Sequence, residues 1–410
     1  MRGVPEDPRL RRMALATLVN TTGNGISFTL SALYFTRIVG LSVAQVGLGL
    51  SIAGALALGA GIPLGHLADR RGPREVQVVL LVGVAAVSAV YLLVEAWWQF
   101  VVLSSVIAIL QAGANTVRNA LISVVTTGAE RGATKAYLRS ITNIGMTLGT
   151  GVAALALHAD TREAYRVVMY LDVLTYLVAA VVLLGLPHVA PSPVGGRGGM
   201  LVALRDRPYA LVVAISSVLT MHYWILELAV PLWVVEHTRA PHALVSVLLV
   251  INTVVVVLAQ VAVARRVATP VAAARAALVS GILFVGACAL LGLAEEGGPL
   301  QAGAVLATVL LVGGALVHVV GELCQASSSF LLSFELAREE SMGQYQGVWS
   351  LGYGVSSLAA PTVMALLPLG LGLIGWLLLG AILLAAAAAT GPVVRHALRS
   401  RADSPALADI

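Results

Sequence analysis

The feature that most constrains this chain is a succession of stretches of about 20 mostly apolar residues, the length that carries a helix across roughly 30 Å of hydrocarbon. Twelve are read, near 13–37, 44–64, 76–94, 100–122, 137–157, 165–187, 209–235, 242–263, 273–293, 300–326, 344–366 and 371–394. With 59% hydrophobic and only 11% charged residues, the chain lies far from soluble domains, where about a quarter of residues are charged. A soluble fold of this composition would aggregate. The hydrocarbon region offers no water to unpaired backbone groups, so spans of this kind must be helical. The sequence therefore predicts an all-α membrane protein of twelve transmembrane helices. The first stretch contains Asn20 and Asn24 and lacks a small-residue cleavage pattern, so it is read as a span and not as a signal peptide.

The basic residues sort by side. In a twelve-span arrangement Arg11, Arg12, Arg70, Arg71, Arg74, Arg131, Lys135, Arg139, Arg205, Arg207, Arg265, Arg266, Arg275, Arg338 and Arg395 fall on one side, whereas Arg37, Arg162, Arg166 and Arg239 fall opposite. The positive-inside rule then places both termini in the cytoplasm and the chain in the cytoplasmic (inner) membrane as a multi-pass protein. The net charge of +5 reports this topology and not nucleic-acid binding. Cys288 and Cys324 lie in apolar stretches, where packing is their expected role.

The segment from Pro187 to Pro208, rich in Pro, Gly and Arg, separates two sets of six spans. The expected domains are a bundle over 1–188, a cytoplasmic linker over 189–208, a second bundle over 209–394 and a tail over 395–410. A shift of 207 positions brings Gln111, Asn115 and Arg118 onto His318, Glu322 and Gln325, and Arg139, Asn143, Met146 and Thr150 onto Gln346, Ser350, Tyr353 and Ser357. The halves thus repeat in polar pattern and scarcely in identity, as duplicated transporter halves do.

Polar residues at steps of three and four share one helix face, and inside an apolar span that face is turned from lipid. Thr17, Asn20, Asn24, Ser27, Ser31 and Tyr34 form such a row in the first span, and Ser216, Thr220, Tyr223 and Glu227 form another in the seventh. With Gln111, Asn115, Arg118, Asn143, Gln325, Ser350 and Tyr353, these rows are expected to line a substrate cavity, although hydroxyls and amides also serve simply to join helices. Ionisable groups demand more, since each costs at least about 2.5 kcal/mol near the bilayer centre. Glu227, Glu322, His318, His222 and Asp172 are the candidates for proton coupling. Glu322 follows His318 by one turn, and burial favours the neutral form of both, as a reversible proton carrier requires. Arg118 keeps its charge, so it holds an anion or pairs with a carboxylate.

Between the second and third spans runs Gly65-His66-Leu67-Ala68-Asp69-Arg70-Arg71-Gly72-Pro73-Arg74. The glycines permit close approach, Asp69 can accept from a helix N-terminus, and the arginines anchor the turn inside. This run resembles the loop signature of the major facilitator superfamily at Gly65, Leu67, Ala68, Asp69, Arg70, Gly72 and Arg74, with Pro73 where an arginine is usual. The resemblance extends over essentially the whole chain. It implies a cavity between two six-helix bundles, alternating access, and a gating role for Gly65, Asp69, Arg70, Gly72 and Arg74. The fifth span is similar in part to the proton-antiporter signature of drug exporters: Gly145 and Gly149 match, whereas Thr150 stands for its proline and Ala153 and Ala154 for its paired glycines. Arg118 is similar to an arginine in the fourth span of the same exporters.

The resulting expectation is a secondary transporter of the drug-exporter type that moves amphipathic small organic compounds outward against protons, working as a monomer in the bilayer and needing no cofactor beyond the proton gradient. A proton symporter importing a nutrient uses the same residues in the opposite net direction. A membrane enzyme or receptor is the reading from another class. No run of His, Asp or Cys at metal or nucleophile spacing and no phosphate-binding glycine loop supports it, so neither a metal site nor nucleic-acid binding is expected.

Overall fold

The computed structural model describes residues 7–128, 130–159, 161–188 and 201–402. The central stretch 189–200 of the expected linker and residues 403–410 of the expected tail lie outside them. Among the described residues all regular structure is helical. The helices are α1 (Pro8–Leu33), α2 (Val43–Ala57), α3 (Gly61–Arg71), α4 (Pro73–Tyr91), α5 (Trp97–Val125), α6 (Glu130–Ala159), α7 (Arg162–Leu184), α8 (Val202–Arg205), α9 (Arg207–Thr220), α10 (Val230–His237), α11 (Leu244–Arg266), α12 (Pro270–Leu293), α13 (Ala304–Glu335), α14 (Met342–Met364) and α15 (Gly370–Ala402).

Local signals explain the ends. Asp7 caps α1 by accepting from Arg9 N at 2.8 Å, with Pro8 at the first helical position, where its missing N–H costs nothing. That amide contact also holds the Asp7 carboxyl below its ordinary pKa. Ser42 and Gln45 form a reciprocal capping box at α2, and Asp206 caps α9. Gly72 joins α3 to α4 at φ 91°, a backbone region that side chains disfavour.

Among the described residues nine helices are long and apolar enough to cross a membrane, or up to ten when α2 and α3, bent by 46°, are taken as one span. The bend falls at residues 58–60, and Pro63, in the first turn of α3, lacks the N–H that an unbroken helix would use there. α1, which carries the polar row, is not among these apolar helices. Glu339–Ser400 runs for 62 residues, interrupted by a π turn over Ala365–Leu369 containing Pro368 and by Gly372 at φ 60°, ψ −139°.

The chain forms two compact units. Unit 1 holds Met1–Thr127, Tyr137–Ala203 and Arg338–Leu351, and unit 2 holds Gly128–Ala136, Leu204–Ala337 and Gly352–Ile410. In unit 1, Ile26, Leu30, Phe35, Tyr91, Phe100 and Tyr165 form a core in which Phe35 meets Phe100 edge-on at 4.7 Å. In unit 2, Trp233, Phe284, Leu291 and Trp376 do so, and Trp233 Nε1 donates to the Leu291 carbonyl at 2.9 Å. Helices in lipid gain little from hiding apolar surface, because the solvent is equally apolar, so close packing carries the association. The glycines show where it is closest. A Cβ at Gly145 or Gly149 of α6 would strike α1 at the carbonyls of Leu18 or Thr22. Gly61 and Gly65 of α3 likewise meet Gly343 and Gly347 of α14 within unit 1, two small-xxx-small ridges laid backbone to backbone.

Candidate functional site

Unit 1 contains a cavity of about 440 Å³, walled by Asn24, Ser27, Phe28 and Ser31 of α1, Leu50, Ala53 and Gly54 of α2, Ser104, Ile107, Ala108 and Gln111 of α5, Met146 of α6, and Met169, Asp172 and Tyr176 of α7. Its polar groups form a chain. Gln111 Nε2 donates to Tyr176 Oη at 2.8 Å, and Tyr176 donates onward to Asn24 Oδ1 at 2.7 Å. Ser27 donates to Asp172 Oδ2. The other carboxylate oxygen, Oδ1, is buried with no hydrogen-bond partner, and Asp172 as a whole is 3% exposed. Gly23 makes room for this group, because a Cβ there would collide with Asp172 Oδ1 and Thr175 Oγ1. Apart from Ser31, Ser88 and Ser104, the rest of the wall is mostly apolar and soft. Aromatic, thioether and aliphatic surface, a few amides and hydroxyls and one carboxylate suit an amphipathic solute.

The polar row of α1 is divided. Asn24, Ser27 and Ser31 face this cavity, whereas Thr17 and Asn20 line a smaller crevice with Gln77 and Arg118. Among the described residues Arg118 has no carboxylate at ion-pair distance. Tyr34 opens a π turn over Tyr34–Ile38 and turns into the aromatic core, its hydroxyl donating to the Leu92 carbonyl at 3.0 Å. Asn115, Asn143, Glu227 and Tyr353 line neither cavity, and Ser350 pairs instead with Thr116 at 3.1 Å.

Unit 2 gathers a second polar centre. The seventh span breaks into turns at Met221 and His222, which brings His222 onto α13. His222 Nδ1 lies 3.4 Å from His318 Nε2, His222 Nε2 lies 3.3 Å from Gln325 Oε1, and His318 Nε2 lies 3.0 Å from the His222 carbonyl. Glu322 accepts from Asn252 Nδ2 of α11 at 2.8 Å. Both histidines are fully buried and Glu322 is 4% exposed. Phe284 stacks on His222 at 4.6 Å between ring centres, and Tyr223 meets it at 4.1 Å with its ring tilted by 45°. The spacing within α13 foreshadowed His318 with Glu322, but no sequence signal pairs residue 222 with residue 318.

The loop signature also acquires a partner. Asp69 accepts from Gly343 N at 2.7 Å and Gln344 N at 3.1 Å, two otherwise orphaned amides in the first turn of α14. A carboxylate there meets the positive end of the helix dipole. Arg74 donates to the Leu184 carbonyl and lies 3.4 Å from Glu75, while Arg70 is exposed.

No curated protein sequence matches the chain. Solved structures resemble it over nearly its whole length. A human organic anion transporter, MFSD10 (TETRAN), is 16% identical at a TM-score of 0.62, covering 95% of this chain and 100% of its own. A bacterial homologue of the iron transporter ferroportin in its outward-facing state is 14% identical at 0.68, covering 96% and 100%. The proton:xylose symporter XylE bound to 6-bromo-6-deoxy-D-glucose is 14% identical at 0.65, covering 92% and 94%. At such identities these likenesses speak for the fold alone. The model of the Major Facilitator Superfamily matches residues 13–361, and the chain belongs to that superfamily.

Proposed function

We propose that this protein is a proton-coupled secondary transporter that exports amphipathic small organic compounds across the cytoplasmic membrane by alternating access. The observation that carries the reading is Asp172, a buried carboxylate on the wall of the unit 1 cavity with one oxygen lacking a partner. An intramembrane carboxylate is expensive and is kept where it binds or moves something. A proton on the carboxylate removes the charge that a cationic solute in the cavity would bind, so the two compete, and competition for one group is what couples opposite fluxes. The apolar wall around it, including Phe28, Met146 and Met169, favours a solute with an apolar body.

The reading takes the chain as twelve spans. Among the described residues the nine apolar helices become ten when Glu339–Ser400 is divided at Gly372, eleven with the bent pair α2 and α3, and twelve with α1. The positive-inside rule then keeps both termini cytoplasmic. Asp69 on the first amides of α14 serves as a latch that forms and breaks during the cycle, with Arg70, Gly72 and Arg74 shaping its loop.

The test is flux in proteoliposomes under an imposed pH gradient, with a panel of lipophilic cations, antibiotics and small nutrients. Solute and protons moving in opposite directions, with coupling lost in Asp172→Asn, is the expected result. Movement in the same direction replaces export by the symporter reading, and full coupling in Asp172→Asn removes Asp172 from the mechanism.

A further inference from the structure

Unit 2 brings together His222, His318 and Glu322 so that one possible ligand atom from each lies within 4.8 Å of the others. We propose that these three side chains form a binding site for a divalent first-row transition-metal ion.

The hydrogen bonds around the cluster fix the tautomers. His222 Nε2–H has Gln325 Oε1 as its acceptor, which puts the lone pair of His222 on Nδ1, where His318 Nε2 lies 3.4 Å away and gives way when a metal binds. His318 Nε2–H has the His222 carbonyl as its acceptor, which leaves the lone pair of His318 on Nδ1. That Nδ1 is fully buried and has no hydrogen-bond partner. A stranded buried acceptor is costly, and a cation supplies the electron-pair acceptor it lacks. Ligating histidines characteristically donate their other ring N–H to a carbonyl or similar acceptor, and both histidines already do so. Glu322 supplies the negative charge and is steered by Asn252 Nδ2 at 2.8 Å. Phe284, stacked on His222 at 4.6 Å, gives the apolar wall that strengthens the attraction.

The donor set selects the ion. Two imidazoles and one carboxylate suit Zn²⁺, Co²⁺, Fe²⁺ or Mn²⁺, whereas Mg²⁺ and Ca²⁺ require six or more oxygens. Bonds of about 2.0–2.2 Å in a tetrahedral centre set donor atoms roughly 3.4 Å apart. The donor atoms, within 4.8 Å of one another, close to this spacing by rotation of the side chains, with the His318 ring turning to present Nδ1. Three protein ligands leave a fourth position for water or a solute group.

The experiment uses the full chain, purified through a tag without histidine and titrated with Co²⁺. The expected result is one equivalent per chain, visible absorption bands of a tetrahedral centre, displacement by Zn²⁺ and none by Mg²⁺. Saturable binding should disappear in His318→Ala and in Glu322→Gln. Asn252→Ala should weaken it about 10- to 100-fold, as expected for a residue that orients a ligand. X-ray absorption of the Co²⁺-loaded wild type is independent of any variant's folding and should show imidazole nitrogens around the metal. No saturable uptake by wild type, a metal shell without imidazole, or unchanged binding in both ligand variants would overturn the proposal.

Discussion

Asp172 in unit 1 and Glu322 in unit 2 are both buried carboxylates on long apolar helices, yet their surroundings are opposite. Asp172 stands on the wall of an open volume and keeps one oxygen unsatisfied. Glu322 sits in a closed cluster, with Asn252 on one oxygen and two histidines beside it. Both halves face the same cost of placing charge among apolar helices. Unit 1 leaves the cost standing where a solute can relieve it, whereas unit 2 surrounds it with donors arranged to share an ion. A carboxylate facing free volume suits a transient guest, and one fixed among nitrogen ligands suits a resident one.

The largest effect that could break this contrast is Asp172→Asn. Coupled flux should fall to background while the protein still purifies as a folded species, because the amide keeps the shape of the site and loses only its charge and proton. Next is Gly149→Val. Its side chain would have to enter the backbone of α1 at the Thr22 carbonyl, a clash expected to cost about 1–3 kcal/mol or more and to lower the thermal midpoint of the purified protein. Asp69→Asn removes a charged acceptor from two helix amides and should cost about 1.5–3 kcal/mol of local stability, read as faster amide hydrogen exchange at Gly343 and Gln344. Tyr34→Phe, which loses the bond to the Leu92 carbonyl and the contact of Arg166 with the same hydroxyl, should cost about 0.5–1.5 kcal/mol without changing coupling. The smallest effect belongs to Tyr353→Phe. Tyr353 is 56% exposed and lines neither cavity, so transport should be unchanged.

Properties that depend on residues close in sequence are legible without the structure. Asn24, Ser27 and Ser31 lie at helical spacing, and that spacing alone puts them on one cavity wall. The match at Gly145 and Gly149 acquires its physical reason in the close approach of α6 to α1. The same row overreaches at Tyr34, because the π turn rotates residues 34–38 out of the α-helical register. The break between α2 and α3 is hidden inside a single apolar run, although Gly59 and Pro63 mark it. Contacts between distant segments leave no local trace: the amides that receive Asp69 lie 274 and 275 residues away, and His222 lies 96 residues from His318. Composition and periodicity carry which face is polar, and only tertiary packing decides which polar faces meet.

The most direct test of the central claim measures protons released when a transported compound binds. Purified protein in weakly buffered detergent solution is mixed with a compound that the wild type moves in proteoliposomes, and the pH change is followed. Competition at Asp172 predicts that wild type releases protons on binding and that Asp172→Asn binds with little or no release. Equal release by both proteins, or no release by wild type, would contradict the account.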